Sequence, residues 1–318
     1  MIKNAFAAAV VLLCRPLSTA AAAAAPAAPS LESRIRGAFF GAVVGDALTL
    51  GTHYEYDAKK IRQFYGRIDK FYAPGEKTGG ATHGVGWGAR NYHGGNGRGA
   101  PKRAGENTDY GDYNLLILEH LSATHSKKSR RPDSTVSRPI QLKELIPRWQ
   151  KRLGTWRAWM CTMTKETASQ VSRGIPLDRI GGRSNAMAIR NAASYAYFAT
   201  EEENVLAART SMFTHRETTA LDGGEFFARV TYRVLHRGMK PIVAIRSVAS
   251  QSSSFIKQKV AQALSKVEES LDGRKDLYRE KFADDLALTS MARLWDVGKT
   301  EPIKVGKASP TEGTLPGS

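Results

Sequence analysis

The chain has 318 residues, 42% of them apolar, which is enough to bury a real core in one large domain or two. Two cysteines, Cys14 and Cys161, exclude a disulfide framework. The formal net charge is +17, yet there is no basic stripe interleaved with aromatics and no recognition module, so nucleic-acid binding is not expected. Part of the charge lies in the loop Lys127-Lys128-Ser129-Arg130-Arg131 and the rest is scattered; solvation, or attraction for a phosphorylated small ligand, accounts for it.

Residues 1–30 read as a cleavable signal or transit segment. Lys3 precedes the apolar run 5–14, an alanine tract with small-residue cleavage possibilities follows, and no acidic residue occurs before Glu32. Secretion and organelle import both fit, so the compartment stays open. After the leader no run is long enough to cross a bilayer, and 31–318 is read as a single domain.

A first helix is predicted over 31–50, with Leu31, Ile35, Phe39 and Ala42 as its buried stripe. Gly37, Gly41 and Gly45 fall four apart on another stripe. Glycine weakens helices, so three in register predict close packing or a site wall there, and a leucine at Gly41 should overpack. Asp46 comes late in this apolar helix, against the dipole, and must be paired or near solvent. Residues 66–103 have no sustained periodicity but many glycines and aromatics, which predicts an ordered, ligand-facing loop. Its Gly95-x-Gly97-x-Gly99 lacks the flanking strand and helix of a dinucleotide fingerprint.

The central stretch is 104–121. A polar approach delivers Asn107, Thr108 and Asp109 to the start of an apolar helical run, where unpaired N–H groups and the dipole favour oxygen ligands. Each of the three is a candidate N-cap. Helices are predicted over 140–153 and 156–171. At 180–190 the glycine turn Ile180-Gly181-Gly182 opens another helix, with Ser184 or Asn185 as cap. Such a turn is a natural phosphate cradle, and Arg190 could add charge. Next come a helix over 201–212, the pair Thr214-His215, and helices over 218–236, 241–250, 255–271 and 282–295. A Thr-His pair before a helix either orients a ligand or caps. No strand series appears, so the fold is predicted all-α, with roughly ten helices and a polar site at several helix starts. No P-loop, His-Glu-x-x-His or nucleophile elbow is present, and Cys161 lacks any nucleophile signature.

Taken in order, these segments resemble the ADP-ribosylglycohydrolase superfamily, most closely its branch that includes eye-lens crystallins. Four motifs carry the resemblance: Arg36-Gly37-Ala38 through Gly45-Asp46-Ala47-Leu48, Thr108-Asp109, Asn185-Ala186-Met187-Ala188-Ile189-Arg190, and Thr214-His215. The resemblance implies an all-α multi-helix domain that binds ADP-ribose over paired magnesium ions. Such a domain hydrolyses the bond joining ADP-ribose to a protein side chain or small acceptor. It implies Thr108, Asp109 and Asp112 as Mg²⁺ oxygens, since that hard ion prefers carboxylate and hydroxyl ligands. It implies Asp46, Gly182, Asn185, Arg190, Thr214 and His215 as contacts to ADP-ribose, and His53, Glu55 and Asp109 as the catalytic set. The chain departs from the pattern in three places. Tyr110 and Gly111 replace the second Asp and second Thr of Thr-Asp-Asp-Thr. His53 stands where hydrolases often place a glutamate, with Glu55 two positions later. The closing Gly-Gly-Asp-x-Asp-Thr segment is not found, so the domain is expected to lack its C-terminal portion. A catalytically inactive ADP-ribose binder or a crystallin-like structural protein is therefore the alternative to a hydrolase.

Overall fold

A computed structural model describes residues 28–53, 58–77, 102–128, 139–156, 160–182 and 198–271. Among the described residues there are nine α-helices, with a single isolated β-bridge and no strand. They are α1 (Leu31–Thr49), α2 (Ala58–Tyr65), α3 (Asp109–Lys128), α4 (Leu142–Gly154), α5 (Thr162–Ser172), α6 (Glu201–Ser211), α7 (Thr218–Leu235), α8 (Pro241–Gln251) and α9 (Ser254–Leu271). No described helix is long and apolar enough to cross a membrane.

Local chemistry sets several of the boundaries. The Ser30 hydroxyl accepts from the Ser33 N–H at 3.2 Å and starts α1. Thr200 and Glu203 cap α6 reciprocally, each side chain accepting from the other's backbone N–H at 3.2 Å. Pro241 opens α8, where its missing N–H costs nothing.

Helical periodicity then builds the core. On α3, Tyr113, Leu116, Ile117 and Leu121 share one face and are buried against Ile140, Leu145, Ile146 and Trp149 of α4 and its approach. Ile180, Phe198, Ala207 and Phe213 complete that cluster. A second cluster joins Phe226 of α7 to Val248 and Ala249 of α8 and to Ile256 and Val260 of α9. Buried Glu201 fastens α6 to α7 by accepting from Arg233 at 2.9 Å and Arg229 at 3.2 Å, while Arg233 also donates to Ser247 and Gln251 of α8. A carboxylate this buried is tolerable because it is paired.

Two expectations are corrected. Gly37 and Gly41 are exposed and Gly45 is half-buried, and a Cβ built on any of the three meets nothing within 4 Å. The packed stripe of α1 lies elsewhere, so the glycine register does not mark a close approach, and Leu31, counted in the buried stripe, is 42% exposed. The helix expected from residue 156 is described only from Thr162. Trp156 closes the end of α4 by donating its N–H to the Leu153 carbonyl, and α5 starts only at Thr162 because Cys161 is extended and serves as its N-cap. The expected helices over 183–190 and 282–295, and most of the loop expected over 66–103 (residues 78–101), lie outside the described residues.

Candidate functional site

The site begins where α1 ends against the start of α3. Asp46 is buried in the last turn of α1. Its carboxylate accepts from the Thr108 hydroxyl at 2.5 Å, the Thr108 N–H at 2.7 Å and the Asn107 amide at 3.1 Å. Asn107 also donates to the Val43 carbonyl at 2.8 Å, locking the approach segment onto α1. Thr108 is the N-cap of α3, its hydroxyl accepting from the Tyr110 N–H at 3.1 Å. Gly105, at φ +84°, makes the bend that aims Asn107 and Thr108 at Asp46. Burial pushes the Asp46 carboxyl above the usual carboxylate range; the bonds from Thr108 and Asn107 pull it back, and nearby Asp109 adds to the rise.

Asp109 is the first residue of α3 and is buried. Its carboxylate accepts from the Cys161 N–H at 3.3 Å, so it stands at the start of α3 and of α5 together. Both dipoles favour a negative charge at that position. Asp112, one turn further along α3, is held by Arg152 of α4 at 3.3 Å, and the same arginine reaches Glu119 at 2.7 Å. Burial raises the Asp112 carboxyl, while Arg152 and Lys102 oppose the rise.

The first turn of α5 carries the site onward. The buried Cys161 sulfur lies 3.0 Å from the Thr164 hydroxyl. Met163 packs on Gly182 so closely that a Cβ there would stand 2.1 Å from its sulfur. Gly182 in turn bridges to the Thr-His pair: its N–H donates to the Thr214 carbonyl and its carbonyl accepts from the Arg216 N–H, both at 3.1 Å. Gly181 takes φ +109°, and a Cβ there would lie 2.6 Å from the Phe213 carbonyl oxygen. Gly181 is therefore glycine because two backbone segments meet there, and Gly182 because the Met163 side chain occupies the space a Cβ would take. Their amides are also committed, Gly181 N–H to the Gln170 side chain at 2.8 Å and Gly182 N–H to Thr214, so they form no open phosphate cradle.

Thr214 and His215 are buried, with the Thr214 hydroxyl 2.9 Å from His215 Nδ1. Core packing aims them. Phe213 stacks edge-on against Trp149 with centroids 5.1 Å apart, and the Tyr113 hydroxyl donates to the Ser211 carbonyl just upstream. Asp46, Thr108, Asp109, Gly182, Thr214 and His215 thus form one unbroken chain of contacts, with the start of α5 as the link. His53 caps the 3-10 turn Leu50–Thr52 that continues α1, and burial pulls its imidazole down to about 3, so it is neutral at pH 7. Glu55, Asn185 and Arg190 lie outside the described residues. Among the described residues no group of three or more His, Cys, Asp or Glu could hold a metal ion.

Three participants escape sequence reasoning. Cys161 acts through its backbone N–H, which no side-chain pattern reveals. Arg152 reaches Asp112 from another helix. Gly111 matters for what it leaves out: a Cβ there would stand 2.4 Å from Asp46 Oδ2 and 2.6 Å from the Asn107 amide nitrogen.

These features define an all-α protein whose polar centre is assembled from helix starts and the backbone between them. A family model described as ADP-ribosylglycohydrolase matches residues 27–304, and the chain belongs to that family. Family members are hydrolases that act on ADP-ribosylated substrates and are generally metal-dependent. A search of curated proteins found no match.

Proposed function

We propose that this chain hydrolyses the glycosidic bond between ADP-ribose and an acceptor, with Mg²⁺ as cofactor. The observation that carries the reading is the contact chain from Asp46, Thr108 and Asp109 through Cys161 and Met163 to Gly182, Thr214 and His215. It links oxygen donors at the start of α3 to the Thr-His segment, which supports a site for a phosphorylated sugar between them. The Thr108 hydroxyl and the Asp109 carboxylate fit a hard cation in donor type, and Asp109 is buried where two helix dipoles already support charge. Asp112 fits less well, because Arg152 faces it. A bound Mg²⁺ would acidify a water and stabilise charge on the ribose as the bond breaks.

The chain's own residues have distinct parts in this reading. Asp109 orients the water and accepts its proton. His53, neutral at pH 7, positions by hydrogen bonding and donates no proton as an imidazolium; Glu55 supplies the acid. Asp46 holds Thr108 in place. Thr214 and His215, with Asn185 and Arg190, contact ADP-ribose.

One observation favours a second reading, a non-catalytic ADP-ribose binder or a crystallin-like structural protein. Asp46 is saturated by donors of its own chain and is seated over Gly111. Calorimetry with ADP-ribose, with and without Mg²⁺, together with release of ADP-ribose from a mono-ADP-ribosylated peptide, separates the readings. Mg²⁺-dependent binding with release supports the hydrolase. Binding without release leaves the binder, and no binding at all sinks both in favour of the structural role.

A further inference from the structure

Beyond the contact chain, next to Arg216, lies a cavity of about 210 Å³ lined by Leu142, Arg209, Thr210, Arg216 and Leu221. Two arginines and a threonine line it, and no carboxylate residue is among the described residues that line it. Arg209 shares its charge with Glu225 at 3.0 Å, whereas Arg216 has no ion pair among the described residues. The Arg216 stem lies on Gly181, so its reach into the cavity is fixed by the same glycine that meets Phe213.

We infer that this cavity is a binding site for a phosphate group, formed by residues other than those assigned to ADP-ribose above. Arginine presents several N–H donors in a planar fork that matches phosphate oxygens in pairs, and the bonds are strengthened by charge on both partners. Leu142 and Leu221 supply the apolar part of its wall. They belong to the first residues of α4 and α7, so the positive ends of two helices add the same sign. The volume suits a phosphate and is smaller than the roughly 300–1,000 Å³ usual for drug-sized ligands. Arg216 follows His215 directly, and its N–H is bonded to Gly182, so an anion on its side chain loads the backbone that holds the Thr-His pair.

The site does not depend on the hydrolase reading and is tested with inorganic phosphate on the full chain. Calorimetry and thermal melts against phosphate should give saturable binding and a rising Tm. Arg216→Gln and Arg209→Gln should each weaken binding by about tenfold or more, as loss of a charge-assisted pair predicts, while Arg216→Lys should retain part of it. Glu225→Gln, which releases Arg209 and leaves the Gly181 contact alone, should tighten binding and keeps the test open if Arg216 variants do not fold. Unsaturable binding by the parent chain, or an Arg216→Gln protein that responds to phosphate as the parent does, overturns the site. Adding ADP-ribose identifies the source: displacement of phosphate assigns the site to a nucleotide phosphate, and simultaneous binding assigns it to free phosphate.

Discussion

The carboxylate of Asp46 rests on Gly111, a residue of the next helix in contact, where a Cβ would stand 2.4 Å from Oδ2. The Asn107 amide fills the rest of that space, 2.6 Å from the same Cβ position. The missing side chain is therefore what lets Asp46 reach Thr108 with both oxygens.

Gly111→Ala should accordingly destabilise the fold by about 1–3 kcal/mol, the usual range for overpacking, despite alanine's better helix propensity. Thermal melts check this. A variant as stable as the parent would mean that Asp46 moves aside at little cost.

Asp109→Ala should abolish any rise in Tm produced by Mg²⁺, since a ligand bound only to the folded state stabilises it. Asp112→Asn should keep that rise, because Asp112 is engaged by Arg152. If the two variants lose the metal response equally, Asp112 is a ligand and the pairing with Arg152 is broken by the ion.

His53 predicts a pH dependence whose sign follows from its depressed value of about 3 against the ordinary 6.5. Between those values the unfolded chain takes up a proton that the folded chain refuses. Stability contributed by His53 is therefore complete above about pH 6.5 and is lost as pH falls toward 3. Melts of His53→Gln across that window should show a shallower decline than the parent. An unchanged slope would show that the imidazole is solvated.

Gly181→Ala should cost about 1–3 kcal/mol, from the left-handed backbone and from the Phe213 carbonyl in its way. A loss of ADP-ribose affinity should accompany it, because the Thr-His segment shifts. Calorimetry at a temperature where the variant is folded reads that loss separately.

Gly41→Ala should do the reverse and stabilise by about 0.5–1 kcal/mol, as removing an exposed helical glycine does. A destabilised protein would place a partner against that face.

The helices were legible where apolar residues recur at helical spacing, as Leu142, Leu145, Ile146 and Trp149 do on α4 and Phe226, Phe227, Val230 and Val234 do on α7. Four motifs in order also pointed to the family. Less readable was anything carried by the backbone. The start of α5 was set by the Cys161 N–H turning toward Asp109, and the Gly181-Gly182 amides were bound internally although the sequence suggested a cradle. The glycine stripe of α1 misled for a related reason: spacing tells which residues share a face, but not whether another element covers it.

The link between Gly182 and the Thr-His segment is made of peptide groups, and that has an evolutionary corollary. Residues flanking the two segments can diverge while the alignment of the segments survives. The paired glycines are denied that freedom, since a Cβ on either would collide with its neighbours.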